Sequence, residues 1–286
     1  MKQKVATHLK RILIIPFLFI LLISKAEAVN QYQIDLSGNW QLFVDLKKSY
    51  QVTQMKEVQF DDMITLPGTL DQSKKGNKGE VPTYTGRLSR NYSFYGKAWY
   101  RKQVTIPANW VGKKILLNME RTRVTHLWVD ETYVGSSLVI SSAQQYDLTN
   151  FLSSGKHTLT IVVDNGDDCG LPSVVKSSHL WTDETQTIWN GILGEMVLEA
   201  KDPLHIVLVK SDPDITKKSV KLTVSIDNTT GAIVKGTLGV TAHLFNSNEK
   251  QEPLQKEFVL DIQQGKQIYT VEYELGNDAL LWSEFA

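Results

Sequence analysis

The sequence predicts an all-β protein built from antiparallel sandwiches. Apolar residues alternate with period 2 along most of the chain, and turn-forming clusters separate the alternating runs. No stretch beyond about ten residues has helical periodicity. The runs come in order. Leu159, Ile161 and Val163 alternate with Thr160 and Val162. Val220, Leu222, Val224 and Ile226 alternate with Lys221, Thr223 and Ser225. Leu238, Val240, Ala242 and Leu244 follow, then Tyr269, Val271, Tyr273 and Leu275. Every second residue of a strand faces the same way, so each run reads as a half-buried strand. Pro67-Gly68, Lys74-Lys75-Gly76-Asn77, Asn165-Gly166-Asp167-Asp168 and Asn228-Thr229-Thr230-Gly231 supply the turns. Leu148 to Leu152 reads as one helical turn.

The chain divides near Lys201-Asp202-Pro203, which has the composition of a linker. Six of the seven tryptophans precede it, and only Trp282 follows. A larger sandwich is expected over 29–200 and a smaller one over 201–286. The second is slightly short of the roughly 100 residues of a seven-stranded immunoglobulin-like sandwich.

The first 28 residues read as a secretory signal peptide. Lys2, Lys4, Lys10 and Arg11 form a basic start, Ile12 to Ile23 is apolar throughout, and Ala26-Glu27-Ala28 offers a small-x-small cleavage site. The apolar run falls short of the roughly 20 residues of a membrane span. No cysteine follows it, which argues against a lipid-anchored form. The whole chain carries 31 basic and 31 acidic residues; removing five and one with the leader leaves 26 and 30, a net charge of −4. That balance argues against a nucleic-acid partner. The single cysteine, Cys169, rules out an intrachain disulfide framework and a cysteine-rich zinc site. The expected product is exported, periplasmic or secreted, and free of membrane once cleaved.

Few motifs carry chemistry on their own. Asp61-Asp62 and Asp167-Asp168 read as solvated turn residues, because neighbours on a strand face opposite ways and do not converge on one bond. Asp164 to Asp168 fails the helical calcium-loop spacing, which leaves open only a calcium site assembled from separate loops. No histidines pair at metal-ligand spacing, so no metal and no cofactor are expected. Cys169 reads as an inert thiol and His126 as a structural strand residue. The best local signals are aromatic. Tyr84, Tyr92, Phe94, Tyr95, Trp99 and Tyr100 crowd one segment with Arg87, Arg90 and Arg101. Asp183 and Glu184 lie between Trp181 and Trp189, with His179 just ahead. Aromatic faces cover the C–H faces of sugars, and charged groups bind their hydroxyls strongly. Arg87, His179, Trp181, Asp183 and Glu184 are therefore the candidate substrate-binding residues. Trp99 and Trp128 read as core.

A family resemblance adds to this reading. Gly38-Asn39-Trp40, Leu66-Pro67-Gly68-Thr69, Arg87 to Arg90 and Gly96 to Lys102 carry its first half. His126-Leu127-Trp128-Val129-Asp130, Tyr146 to Thr149, Leu159 to Asn165 and Gln186 to Gly194 carry the second. This order resembles the N-terminal sugar-binding part of glycoside hydrolase family 2, the β-galactosidase-like enzymes. The resemblance implies a jelly-roll (galactose-binding-like) sandwich followed by an immunoglobulin-like one over 203–286. The family's hairpin after the tryptophan–valine pair usually holds Asn-Gly; here it holds Asp130-Glu131. In the family a (β/α)₈ barrel follows and carries both catalytic glutamates, and neither maps onto a residue of this sequence. No catalytic residue is therefore assigned. A jelly-roll loop of the family reaches the barrel's active site, and by position the Asp183-Glu184 loop would be that loop.

The expected function is the non-catalytic N-terminal part of an exported β-galactosidase-like hydrolase, cut short or encoded by a split gene. Its partners would be a β-galactoside-like carbohydrate and a barrel domain or a second copy. A self-standing carbohydrate-binding or scaffolding protein is the alternative. Loss of a barrel would leave apolar surface and a sheet edge exposed.

Overall fold

A computed structural model describes residues 32–79, 86, 88–183, 187–243, 254–276 and 279. The expected signal peptide and the segment around Trp282 lie outside the described residues. The strands up to Lys201 begin with β1 (Gln33–Asp35), β2 (Gly38–Val44), β3 (Asp62–Leu66), β4 (Gly68–Thr69), β5 (Asn77–Lys78), β6 (Tyr92–Ser93) and β7 (Lys97–Ile106). Next come β8 (Lys114–Thr122), β9 (Val124–Val129), β10 (Thr132–Ser137), β11 (Gln144–Asp147), β12 (Gly155–Asp164) and β13 (Gly191–Lys201). Then follow β14 (Leu204–Asp214), β15 (Ser219–Asn228), β16 (Val234–Ala242), β17 (Leu254–Ile262) and β18 (Gly265–Glu274). The only α-helical turn among the described residues is α1 (Ser173–Lys176). The fold is all-β, as the alternation predicts.

Ahead of β14, two antiparallel sheets face each other. The larger runs β10-β9-β12-β7-β2-β3; the smaller runs β1-β13-β8-β11, with β4 beside β13. The long pair β7 and β12 stays in register from Lys97 opposite Asp164 to Ile106 opposite Gly155. Between the sheets lie Trp40, Tyr100, Leu117, Met119, Leu127, Leu159, Ile161, Ile192 and Leu198, each at most 1% exposed. Alternation assigns the other face of the same strands. Trp99, Trp128 and Val162 form a separate cluster on the outer side, roofed by Met55 and Val58. The two indole rings stack at 5.7 Å between centroids. Trp99 and Trp128 are core, but of this outer layer rather than the inter-sheet one. Arg101 closes its edge with its guanidinium 3.9 Å above the Phe60 ring.

Beyond Lys201, β14-β15-β18 form one sheet and β16-β17 another. Val224, Ile226 and Ile262 are the buried centre. The edge strand β14 is thinly covered: Ile206, Val207, Leu208 and Val209 are each 44–63% exposed. Lys114 ties this region to the first sandwich, 3.1 Å from Asp227 and 3.8 Å from Asp147.

Asp130 accounts for the altered hairpin. It takes a left-handed conformation, φ +52°, a region that costs most residues about 1 kcal/mol. Its side chain compensates: Oδ1 accepts the Thr158 N–H at 2.8 Å and Oδ2 pairs with His157 Nδ1 at 2.8 Å. Partial burial pushes its carboxyl up, but the His157 and Thr158 hydrogen bonds outweigh it and hold the group below the usual range. This contribution is present above the unfolded carboxyl value of about 3.9 and is lost as pH falls through the lower folded one. Asp130→Ala is expected to cost about 2 kcal/mol in urea unfolding at pH 7, from hydrogen bonds and backbone together. Asp130→Gly is expected to cost about half of that. The gap between wild type and Asp130→Ala should narrow as pH falls from about 5 to about 2; a constant gap would contradict the clamp.

Candidate functional site

Two sharp turns begin the site. The chain leaves β12 at Asp164 and makes the Asn165-Gly166-Asp167-Asp168 turn; residues 177–183 and 187–190 precede β13. Asn165 and Asn190 are the anchors, 1% and 2% exposed. The Asn190 amide nitrogen donates to Val163 O at 2.8 Å and to Asn165 Oδ1 at 3.1 Å. Its oxygen accepts the Tyr100 hydroxyl at 2.8 Å. The Asn165 amide nitrogen donates to Phe94 O at 2.7 Å and Ile188 O at 2.9 Å. The backbone at Gly191, φ +142°, passes so close to β4 that an added Cβ would lie 2.3 Å from Gly68 O. Only glycine fits there.

Arg123 fills the space beneath the loop. It is 4% exposed, and its N–H groups donate to Leu180 O at 2.8 Å, Thr187 O at 3.1 Å and Trp189 O at 3.3 Å. The guanidinium also stacks over Trp189 and Trp181, 4.6 and 5.4 Å from the ring centroids. Burial pulls Arg123 down to about 10, with Asp183 opposing the shift. It therefore stays charged at neutral pH.

On this support Asp183 is held from three sides. Its Oδ1 accepts the Ile188 N–H at 2.9 Å and lies 3.3 Å from Arg90. Its other oxygen accepts the Tyr95 hydroxyl. Arg90 in turn donates to Ile188 O at 2.9 Å and to Tyr95 Oη at 2.8 Å. Burial and the Asp183 carboxylate push the Tyr95 hydroxyl up, which keeps it protonated as a donor. The result is a fixed carboxylate, one-third exposed, beside a tyrosine that is 40% exposed. Such a group accepts hydroxyl donors without reorganising.

The candidate residues separate. Asp183 is at the centre. Trp181 is 5% exposed and packs on Val124, Cys169 and Leu171, so its ring is structure and offers no open face. His179 is exposed on the loop. Arg87 and Glu184 lie outside the described residues. Of the aromatic crowd, Phe94, Trp99 and Tyr100 are buried. Arg90 and Tyr95 are the members that reach Asp183. Arg123 escapes a sequence reading; its one signal is a charged residue just ahead of the strand-like segment Val124 to Val129. Burial pushes the Cys169 thiol up, in keeping with an inert cysteine. Among the described residues no group of three or more His, Cys, Asp or Glu is placed to hold a metal.

Residues 34–201 match the family model of the glycosyl hydrolases family 2 sugar-binding domain. The chain belongs to glycosyl hydrolase family 2. A β-glucuronidase of Formosa agariphila is 25% identical over 153 residues, covering 46% of this chain and 15% of that protein. A family 2 β-glucuronidase structure superposes on 88% of this chain and 27% of its own, at TM-score 0.62 and 20% identity. A β-glycosidase from Bacteroides vulgatus gives TM-score 0.59 at 20% identity over 88% of this chain and 30% of that one. This chain thus spans less than a third of these relatives, and at these identities the structures speak for the fold alone.

Arg123→Met should leave three loop carbonyls without donors and destabilise the chain by about 3 kcal/mol or more. Arg123→Lys keeps charge but not the fork, and should recover less than half of that. Urea unfolding gives the energies, and hydrogen exchange should show the Leu180, Ile188 and Asn190 amides losing protection before the strands do. Unchanged exchange at those amides would contradict the assignment.

Proposed function

We propose that this chain is the non-catalytic N-terminal part of an exported family 2 β-glycosidase, and that its jelly roll presents Asp183 to a bound sugar. The observation that carries the reading is the sugar-binding-domain match over 34–201, joined to a fixed, partly exposed carboxylate on the loop 177–190. A carboxylate whose position is set in advance discriminates among hydroxyl arrangements, since no ordering cost is met on binding. Asp183 and Tyr95 would contact sugar, Arg90 would orient both, and Arg123 would hold the loop beneath them. Bond cleavage would belong to a barrel domain with its own paired carboxylates, in this protein or in a partner chain. The ligand class is a β-galactoside-like or related β-glycoside, and the assembly partner is that barrel or a second copy of the chain.

Export rests on the basic start, the apolar run Ile12 to Ile23 and Ala26-Glu27-Ala28. A periplasmic or secreted location follows from it. Among the described residues no helix is long and apolar enough to cross a membrane.

Expression in a Gram-negative host should release a periplasmic product whose first residue is Val29. That product should not hydrolyse nitrophenyl β-D-galactopyranoside or nitrophenyl β-D-glucuronide. Robust hydrolysis of either by the pure chain would overturn the non-catalytic reading, and an intact Met1 in the cytosol would overturn export.

A further inference from the structure

The outer face of the six-stranded sheet carries a cleft that the Asp183 loop does not use. Its volume is about 520 Å³, within the range of small-molecule sites. It opens where β7, β9 and β12 end, beside the turn 164–168 that the sequence leaves without a role. Lys97, His126 and Asp164 line it together, one from each of these three strands.

Asp164 is the buried group. Its side chain is 6% exposed. One oxygen accepts the Gly166 N–H at 2.8 Å. The other has Lys97 Nζ at 4.0 Å, beyond hydrogen-bond reach. The two groups therefore face each other across a gap, an acceptor on one side and a donor on the other. A hydroxyl oxygen placed between them can lie about 2.8 Å from each, accepting from the ammonium and donating to the carboxylate. A carboxylate or phosphate can only accept, and an ammonium can only donate. His126 adds a third polar contact. Its Nδ1 is engaged with the Tyr133 hydroxyl at 3.0 Å, which leaves Nε2. Burial lowers its pKa, so the ring is neutral at pH 7.

The remaining lining sets the sign. Asp45 spends both carboxylate oxygens on the Ser49 and Tyr50 N–H groups at 2.8 and 2.9 Å, so it is structural. Counting it with Asp164, Asp167 and Asp168 against Lys48 and Lys97 gives a lining charge of −2, which disfavours anions. Leu138, 48% exposed, supplies an apolar wall. Gly96, Gly166 and Gly170 also line the cleft. A Cβ at Gly166 would lie 3.2 Å from the Gly96 Cα and 3.1 Å from an Asp164 oxygen.

We propose that this cleft is a second carbohydrate site, separate from the Asp183 loop, which takes a neutral mono- or disaccharide through the Asp164–Lys97 pair and rejects uronates. It shares with the proposed function only the ligand class.

The test is titration of the ¹⁵N-labelled full chain with galactose, lactose, N-acetylglucosamine and glucuronate, read at individual amides. Neutral sugars should shift the Gly96, Gly166 and Gly170 amides with millimolar Kd, and glucuronate should bind at least about fivefold more weakly. Asp164→Asn keeps an acceptor for the Gly166 N–H but loses the charge, and should weaken binding about tenfold. Lys97→Met should do the same, and it keeps the test alive if Asp164→Asn fails to fold. Shifts confined to Ile188 and Asn190 would favour the Asp183 loop and overturn the cleft. Shifts at the three glycines alone would uphold the cleft while counting against the loop. No shift at those glycines up to about 50 mM of any sugar would overturn it, as would binding that both variants leave unchanged.

Discussion

The pairing of two buried amides, Asn165 and Asn190, is the constraint on which this end of the jelly roll depends. Together they take up main-chain groups of Phe94, Gly96, Val163 and Ile188. Those groups belong to three different segments: the approach to β7, the end of β12 and the entry to β13. Each segment is entering or leaving its sheet there, so strand pairing alone does not meet all of its main-chain groups. A buried peptide group without a partner costs about 1–3 kcal/mol. Asparagine carries both donors and an acceptor on a short stem, so two of them can satisfy several such groups at once. The network reaches the Asp183 loop through Ile188 and the Asp164 cleft through Gly96.

Arg123 plays the same role one layer further out, with charge added. A guanidinium enclosed by carbonyls and two indole faces keeps its proton because its donors are met, even though no carboxylate salt-bridges it among the described residues. It turns the carbonyls of Leu180, Thr187 and Trp189 from a liability into a support. The visible chemistry at Asp183 rests on that hidden cation. Asp183, Tyr95 and Arg90 then form a closed set in which each group fixes the other two, so the orientation of the carboxylate is set by the fold itself.

Much of the fold is legible in the sequence. Period 2 along Leu159 to Val163 or Val220 to Ile226 reports which residues face a core, and burial follows that pattern. The alternation does not tell which core. Trp99 and Trp128 are buried under Met55 and Val58, a layer made by a segment with no strand pattern of its own. The tight entry into β13 follows from Gly191, where backbone meets backbone. The site is legible only in part. Asp183 stands out through its aromatic surroundings, but Trp181 looks like a ligand platform because sequence shows a ring and not its cover. Arg123 lies 60 residues before Asp183 in the chain, and its partners are carbonyls, which every residue has. No residue-type pattern marks such a contact. The hairpin at Asp130 is legible as a departure, and its remedy, the His157 clamp, comes from the adjacent strand.

A double-mutant cycle on Asn165→Ala and Asn190→Ala tests the central claim most directly. Urea unfolding of the two single variants and the double variant yields their coupling energy. If the two amides act as one unit, the coupling should reach about 1–3 kcal/mol. Additivity within about 0.5 kcal/mol would mean that each asparagine serves its own segment, and that the loop and the cleft are held independently.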